Sequence, residues 1–121
     1  MALLQMLMDF AMLKIMSKSA TEIAEKLRDV LKENFSDFDG LYLYGSHAKG
    51  LATNDSDIDI VVLIESFDLD KRSIYHKITS RFRYENDADL DLHPMSRREL
   101  EENPVFYNEV VNKGIFYAAK K

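Results

Sequence analysis

Two aspartates, Asp57 and Asp59, stand one residue apart in the stretch Ser56-Asp57-Ile58-Asp59-Ile60-Val61-Val62. On an extended strand such positions share a face, with their Cα atoms about 7 Å apart. Carboxylates that close repel one another unless a cation lies between them. Mg²⁺ takes such hard oxygen ligands and completes its shell with phosphate oxygens and water. Upstream, Gly45-Ser46-His47-Ala48-Lys49-Gly50 follows the apolar run Leu41–Tyr44. Its glycines permit a tight turn in which backbone N–H groups and the Ser46 hydroxyl face an anion. An anion cradle followed by paired acids describes a site for a nucleoside triphosphate with its metal. A third acid would complete a two-metal site, one ion activating an attacking hydroxyl and the other steadying the leaving pyrophosphate. Asp91 is the candidate, able also to help take the proton from that hydroxyl, and Asp89, pointing the same way, is the fallback.

The elements that must position these residues follow from periodicity and caps. Ser19 and Glu22 form a capping-box pattern, and Ile23, Leu27, Val30, Leu31 and Phe35 continue it at helical spacing. That helix is expected to end near residues 34–36, before a polar turn at 37–40. Residues 41–44 read as a short strand and 57–64 as a second, central one, solvated at its acidic end and buried on both faces at its apolar end. Asp68 or Asp70 caps a second long helix, with Ile74, Ile78 and Phe82 on one face. Residues 87–93 read as a third strand with Asp89, Asp91 and His93 on one face, stopped by Pro94. Ser96 and Glu99 repeat the capping box, and Pro104 opens a helix bearing Val105, Phe106, Val110 and Val111, which stops at Gly114. Residues 115–117 add a last strand. The fold class is α/β (α+β), with a small mixed β-sheet flanked by helices. The connection between the first two strands is too short for a crossover helix, so their pairing is expected to be antiparallel or mixed.

Composition bounds the rest. The 121 residues fit one domain, here 19–121, preceded by an apolar extension, 1–18. That extension, rich in Met, is too short and too interrupted by Asp9 and Lys14 to span a bilayer, which takes about 20 residues. It reads as a helix buried in the domain or at a subunit contact, with Met6, Met8 and Met12 as core filler. Met16 also begins a stretch that reads as an ordinary N-terminus. There are no cysteines, which excludes disulfides and thiolate metal sites and suits the cytoplasm. The net charge is −5 with no basic run, which argues against nucleic acid as the partner.

With Gly-Ser-His-Ala-Lys-Gly, a spacer and Ser-Asp-Ile-Asp-Ile-Val-Val in place, the sequence resembles the polymerase-β-like nucleotidyltransferase superfamily. The short chain resembles its minimal nucleotidyltransferase (MNT) group in particular. The strong match covers Tyr44 to Val62. The resemblance implies the nucleotidyltransferase fold, ATP as substrate and two Mg²⁺ as cofactors. Gly45, Ser46, Lys49 and Ser56 would bind the nucleotide. Asp57, Asp59 and Asp91 would hold metal, with Asp91 also a candidate base. It further implies the antitoxin role of a toxin–antitoxin pair, in which AMP is transferred to a hydroxyl, commonly a tyrosine, of an all-helical HEPN-type toxin. Lys49 and Thr53 stand where many relatives carry Arg, which trades a bidentate fork for a point charge or for nothing. One alternative is a binding protein that neutralises its partner by contact alone, as a homo- or hetero-oligomer. Another is a small-molecule or RNA nucleotidyltransferase that borrows a substrate domain from a second chain. His47 and His93 read as satisfied or surface histidines, and Tyr42 and Tyr44 as packing residues.

Overall fold

The computed structural model describes residues 2–8, 19–53 and 55–120. Helix α1 spans Ala20–Asn34, and the Ser19 hydroxyl caps it by accepting the Glu22 N–H at 3.2 Å. Its buried stripe is Ile23, Ala24, Leu27 and Leu31, continued by Phe35 at the C-cap. Strand β1 covers Phe38–Tyr44 and β2 covers Ile58–Ile64. Helix α2 (Leu69–Asn86) is capped by Asp68, and β3 (Leu90–Met95) follows it. Two short helices come next, α3 (Arg97–Glu101) and α4 (Pro104–Tyr107). A π-helical segment, Asn108–Asn112, leads into β4 (Ile115–Ala118).

The sheet order is β3-β2-β1-β4. β1 runs antiparallel to both β2 and β4, whereas β2 and β3 are parallel, joined through α2. The sheet is therefore mixed, as the short β1–β2 connection requires. On one face, α1 and α2 cover Leu41, Leu43, Ile58, Ile60, Val62 and Ile64. On the other, Tyr42, Tyr44, Val61 and Leu63 pack with Leu100 and Val110 from the C-terminal helical segments. The apolar end of β2 is thus buried on both sides, which is why its sequence stops alternating.

Several expectations are corrected. Phe38–Gly40 joins β1 rather than a turn, because Phe38 pairs with Ile64 across a bulge. Strand β3 begins at Leu90, so Asp87 and Asp89 precede it: Asp87, with φ 47°, ends α2, and the Asp89 carbonyl accepts the Ile58 N–H at 2.9 Å. Pro94 lies inside β3 instead of ending it, which an edge strand tolerates because its missing N–H can face away from the ladder. On α2 the buried residues are Tyr75, Thr79 and Phe82, while Ile74 is 51% exposed. Strict four-residue spacing drifts around a 3.6-residue turn, whereas i, i+4, i+7 stays on one stripe. The expected single helix after Pro104 is a short α-turn plus a π segment, and Val105 faces solvent. Residues 2–8 are helical, but Met6 and Met8 are exposed rather than core filler, both cores being closed by other elements. Met12 and the rest of the apolar extension lie outside the described residues. Among the described residues no helix is long and apolar enough to cross a membrane.

Candidate active site

β1 ends at Tyr44 and the chain turns at once. Gly45 and Gly50 both adopt φ 73°, in the left-handed region where a Cβ is costly. Between them the chain winds: Lys49 N–H donates to Gly45 O at 3.2 Å and Leu51 N–H to Ser46 O at 2.9 Å. Ser56 ties down the far end of the loop. Its hydroxyl accepts the Thr53 N–H at 3.0 Å, its own N–H donates to Thr53 O at 3.1 Å, and its carbonyl lies 3.1 Å from His47 Nε2. His47 is thus a satisfied histidine holding the turn against the start of β2.

Across the sheet, Tyr44 pairs with Asp59 and Asp59 pairs with Asp91, so these three residues form a row on one face. Asp57 stands just before β2 and is exposed, Asp59 is half-buried and Asp91 is exposed. Gly45 backs directly onto this row, for a Cβ built there would collide with the Asp59 carboxylate. The sequence-expected turn and acids therefore meet at one place. Burial pushes the Asp59 carboxyl above its ordinary pKa, and the Asp91 charge pushes the same way. A hydrogen bond to Asp91, which only a protonated Asp59 can donate, and the charge of Asp57 add to the rise, while His93 opposes it. Burial also raises the Tyr44 phenol, with Asp59 and Asp91 contributing, and the ring packs in the core with Val61, Leu100 and Val110, as a packing residue should. His93 Nε2 lies 3.2 Å from Asp91 Oδ2, and its ring neighbours Tyr44 and Phe106 at 6.2 and 6.3 Å.

Among the described residues no three carboxylate, imidazole or thiol groups close round one point as a finished ion site. The donors nonetheless fit a hard divalent cation. All three candidates are carboxylates, the row carries excess negative charge, and Asp57 and Asp91 are surface side chains that can turn at little cost.

Lys49 points to the π segment and forms an ion pair with Glu109, which also meets Lys113 at 3.6 Å. Neither Glu109 nor Lys113 was anticipated from sequence: they belong to no motif and lie about 60 residues beyond the turn. A hollow of about 320 Å³, lined by Ile64, Phe67, Arg72, His76 and Met95, sits at the opposite end of β2 and β3 from the acids.

The nucleotidyltransferase domain model matches residues 24–117, which contain the turn, the acid row, the first three strands and most of β4. The chain belongs to the nucleotidyltransferase domain family. Its fold is also that of a chain in a toxin–antitoxin complex crystallised with AMP-PNP, at 28% identity and TM-score 0.55, over 75% of this chain and 68% of that one. A mutant of the MntA–HpeT toxin–antitoxin complex is similar at 29% identity and TM-score 0.54, over 76% and 68%. A complex of tri-AMPylated Shewanella oneidensis HEPN toxin with MNT antitoxin shares the fold at 24% identity and TM-score 0.53, over 80% and 70%. No curated protein matches the chain. The family match and these structures bear out the sequence resemblance to minimal nucleotidyltransferases.

Proposed function

We propose that this nucleotidyltransferase moves AMP from ATP, with Mg²⁺, to a hydroxyl of a HEPN-type helical toxin in the cytoplasm, acting as that toxin's antitoxin. The observation that carries this reading is the contact of Gly45 with the Asp59 carboxylate, beside Asp91. It sets the glycine turn against the acid row, which supports reading the one as an anion cradle and the other as metal ligands. The likeness to a toxin–antitoxin chain crystallised with AMP-PNP supports an adenine nucleotide donor and a toxin partner.

In this reading the turn's backbone N–H groups and the Ser46 hydroxyl hold the triphosphate, with Lys49 and Ser56 at its margins. Asp57, Asp59 and Asp91 would hold Mg²⁺, which when bound supplies charge neutralisation and activation of the attacking oxygen. The acceptor hydroxyl oxygen bonds to the α-phosphorus, the bond to the bridging oxygen breaks, and pyrophosphate leaves. In this reading an Asp91 carboxylate oxygen takes the hydroxyl proton.

Incubation with labelled ATP, Mg²⁺ and the HEPN partner should label the partner. Asp57→Ala and Asp59→Ala should each abolish the label while circular dichroism stays unchanged. Near-normal labelling by either variant would overturn the metal assignment. A double variant that labels nothing yet still neutralises the toxin would establish inhibition by contact.

A further inference from the structure

We propose that Lys113, together with Lys49, forms the cationic clamp for the β- and γ-phosphates, and that Glu109 holds the two ammonium groups in place until the nucleotide replaces it. The inference rests on the nucleotidyltransferase reading above and names a binding residue on a different element. Glu109 reaches both lysines at once, one through each carboxylate oxygen. Two ammonium groups are therefore gathered within one carboxylate's span, beside the Gly45–Gly50 turn. A lone carboxylate between two lysines leaves a net positive charge. A polyphosphate, with several anionic oxygens, satisfies both better.

The backbone places Glu109 for this task. It lies in the π segment Asn108–Asn112, where the widened turn shifts the side chains relative to an α-helix. The end of that segment is pressed onto β1: a Cβ at Gly114 would lie 2.8 Å from Leu43 O, two residues before Gly45. Lys113 is thereby anchored next to the strand end that opens the phosphate turn. Its side chain is 53% exposed and that of Lys49 is 36% exposed, so both can leave Glu109 for a ligand.

The test is equilibrium binding of ATP, of inorganic tripolyphosphate and of AMP to the intact chain, by calorimetry with Mg²⁺ present. Thermal melts of each variant check the fold. Lys113→Met should weaken ATP and tripolyphosphate binding about three- to tenfold, the range expected for a partly exposed charged contact, and leave AMP nearly unchanged. Glu109→Gln should tighten ATP and tripolyphosphate binding, because the lysines are no longer neutralised. The inference is overturned if Lys113→Met binds ATP like the unaltered chain. It is equally overturned if Glu109→Gln weakens binding as much as Lys113→Met does, since Glu109 would then be a structural support. An unaltered chain that binds no ATP sinks the nucleotidyltransferase reading and this inference together; normal ATP binding with an inert Lys113 sinks only the latter.

Discussion

Alanine at Gly45 and alanine at Gly50 make a matched pair, since both positions have φ 73° but only one faces the acid row. An alanine held in the left-handed region costs about 1–2 kcal/mol. Stiffening the unfolded chain returns about 0.4–1 kcal/mol of that. Each variant should therefore lose up to about 1.5 kcal/mol, and its melting temperature should fall by about 4–8 °C per kcal/mol. The two differ in what the new methyl meets. At Gly50 there is nothing within 4 Å, whereas at Gly45 the methyl would overlap the Asp59 carboxylate. Asp59 must then swing out of its row with Asp91, and a misplacement of about 1 Å at a reacting centre costs about 100-fold in rate. Transfer of label to the partner, measured well below both melting temperatures, should fall at least that far for Gly45→Ala. Gly50→Ala should keep most of it. Equal transfer by both variants would refute the reasoning, whether both remain active or both fail, because the effect would then not run through Asp59.

Two further predictions concern the scaffold. The Tyr75 hydroxyl is buried without a hydrogen-bond partner among the described residues, and burial pushes its pKa up to about 12. Tyr75→Phe removes that orphan and should raise stability by about 1 kcal/mol in urea denaturation; a loss of similar size would show that the hydroxyl is satisfied. Burial would raise the Asp37 carboxyl, but the Lys71 ion pair and hydrogen bond, with the Ser66 N–H, outweigh it and hold the pKa below the ordinary value. A depressed folded pKa contributes stability that is full above the unfolded pKa of about 4 and is lost as pH falls through the folded value. Lys71→Met should therefore be less stable than the unaltered chain at neutral pH, with the gap narrowing below pH about 4. A gap independent of pH would refute the pairing.

Much of the fold was legible because its signals are local. Ser19, Asp68 and Ser96 each cap a helix through their own side chains, accepting an N–H three residues on. Cap geometry involves one turn of chain, so it survives whatever surrounds it. Alternation likewise placed Asp59, Asp91 and His93 on one face, since successive strand side chains point to opposite sides. Strand ends were less legible. Asp87 and Asp89 have the alternation of a strand, yet the α2 C-cap and the edge position of β3 decide where pairing starts. Ile74 failed as a core residue because the sheet selects which stripe of α2 it buries.

By itself, then, the sequence supplied the candidate groups: a glycine turn and paired carboxylates in one short stretch, and a further acid at strand periodicity on a later strand. Tertiary structure alone decided that Gly45 touches Asp59, that Asp59 and Asp91 lie side by side, and that Lys49 is met by Glu109 and Lys113. Those contacts depend on strand order, register and the docking of the π segment. They are set by which faces bury best together, a property of the whole packed sheet that no local window of residues contains.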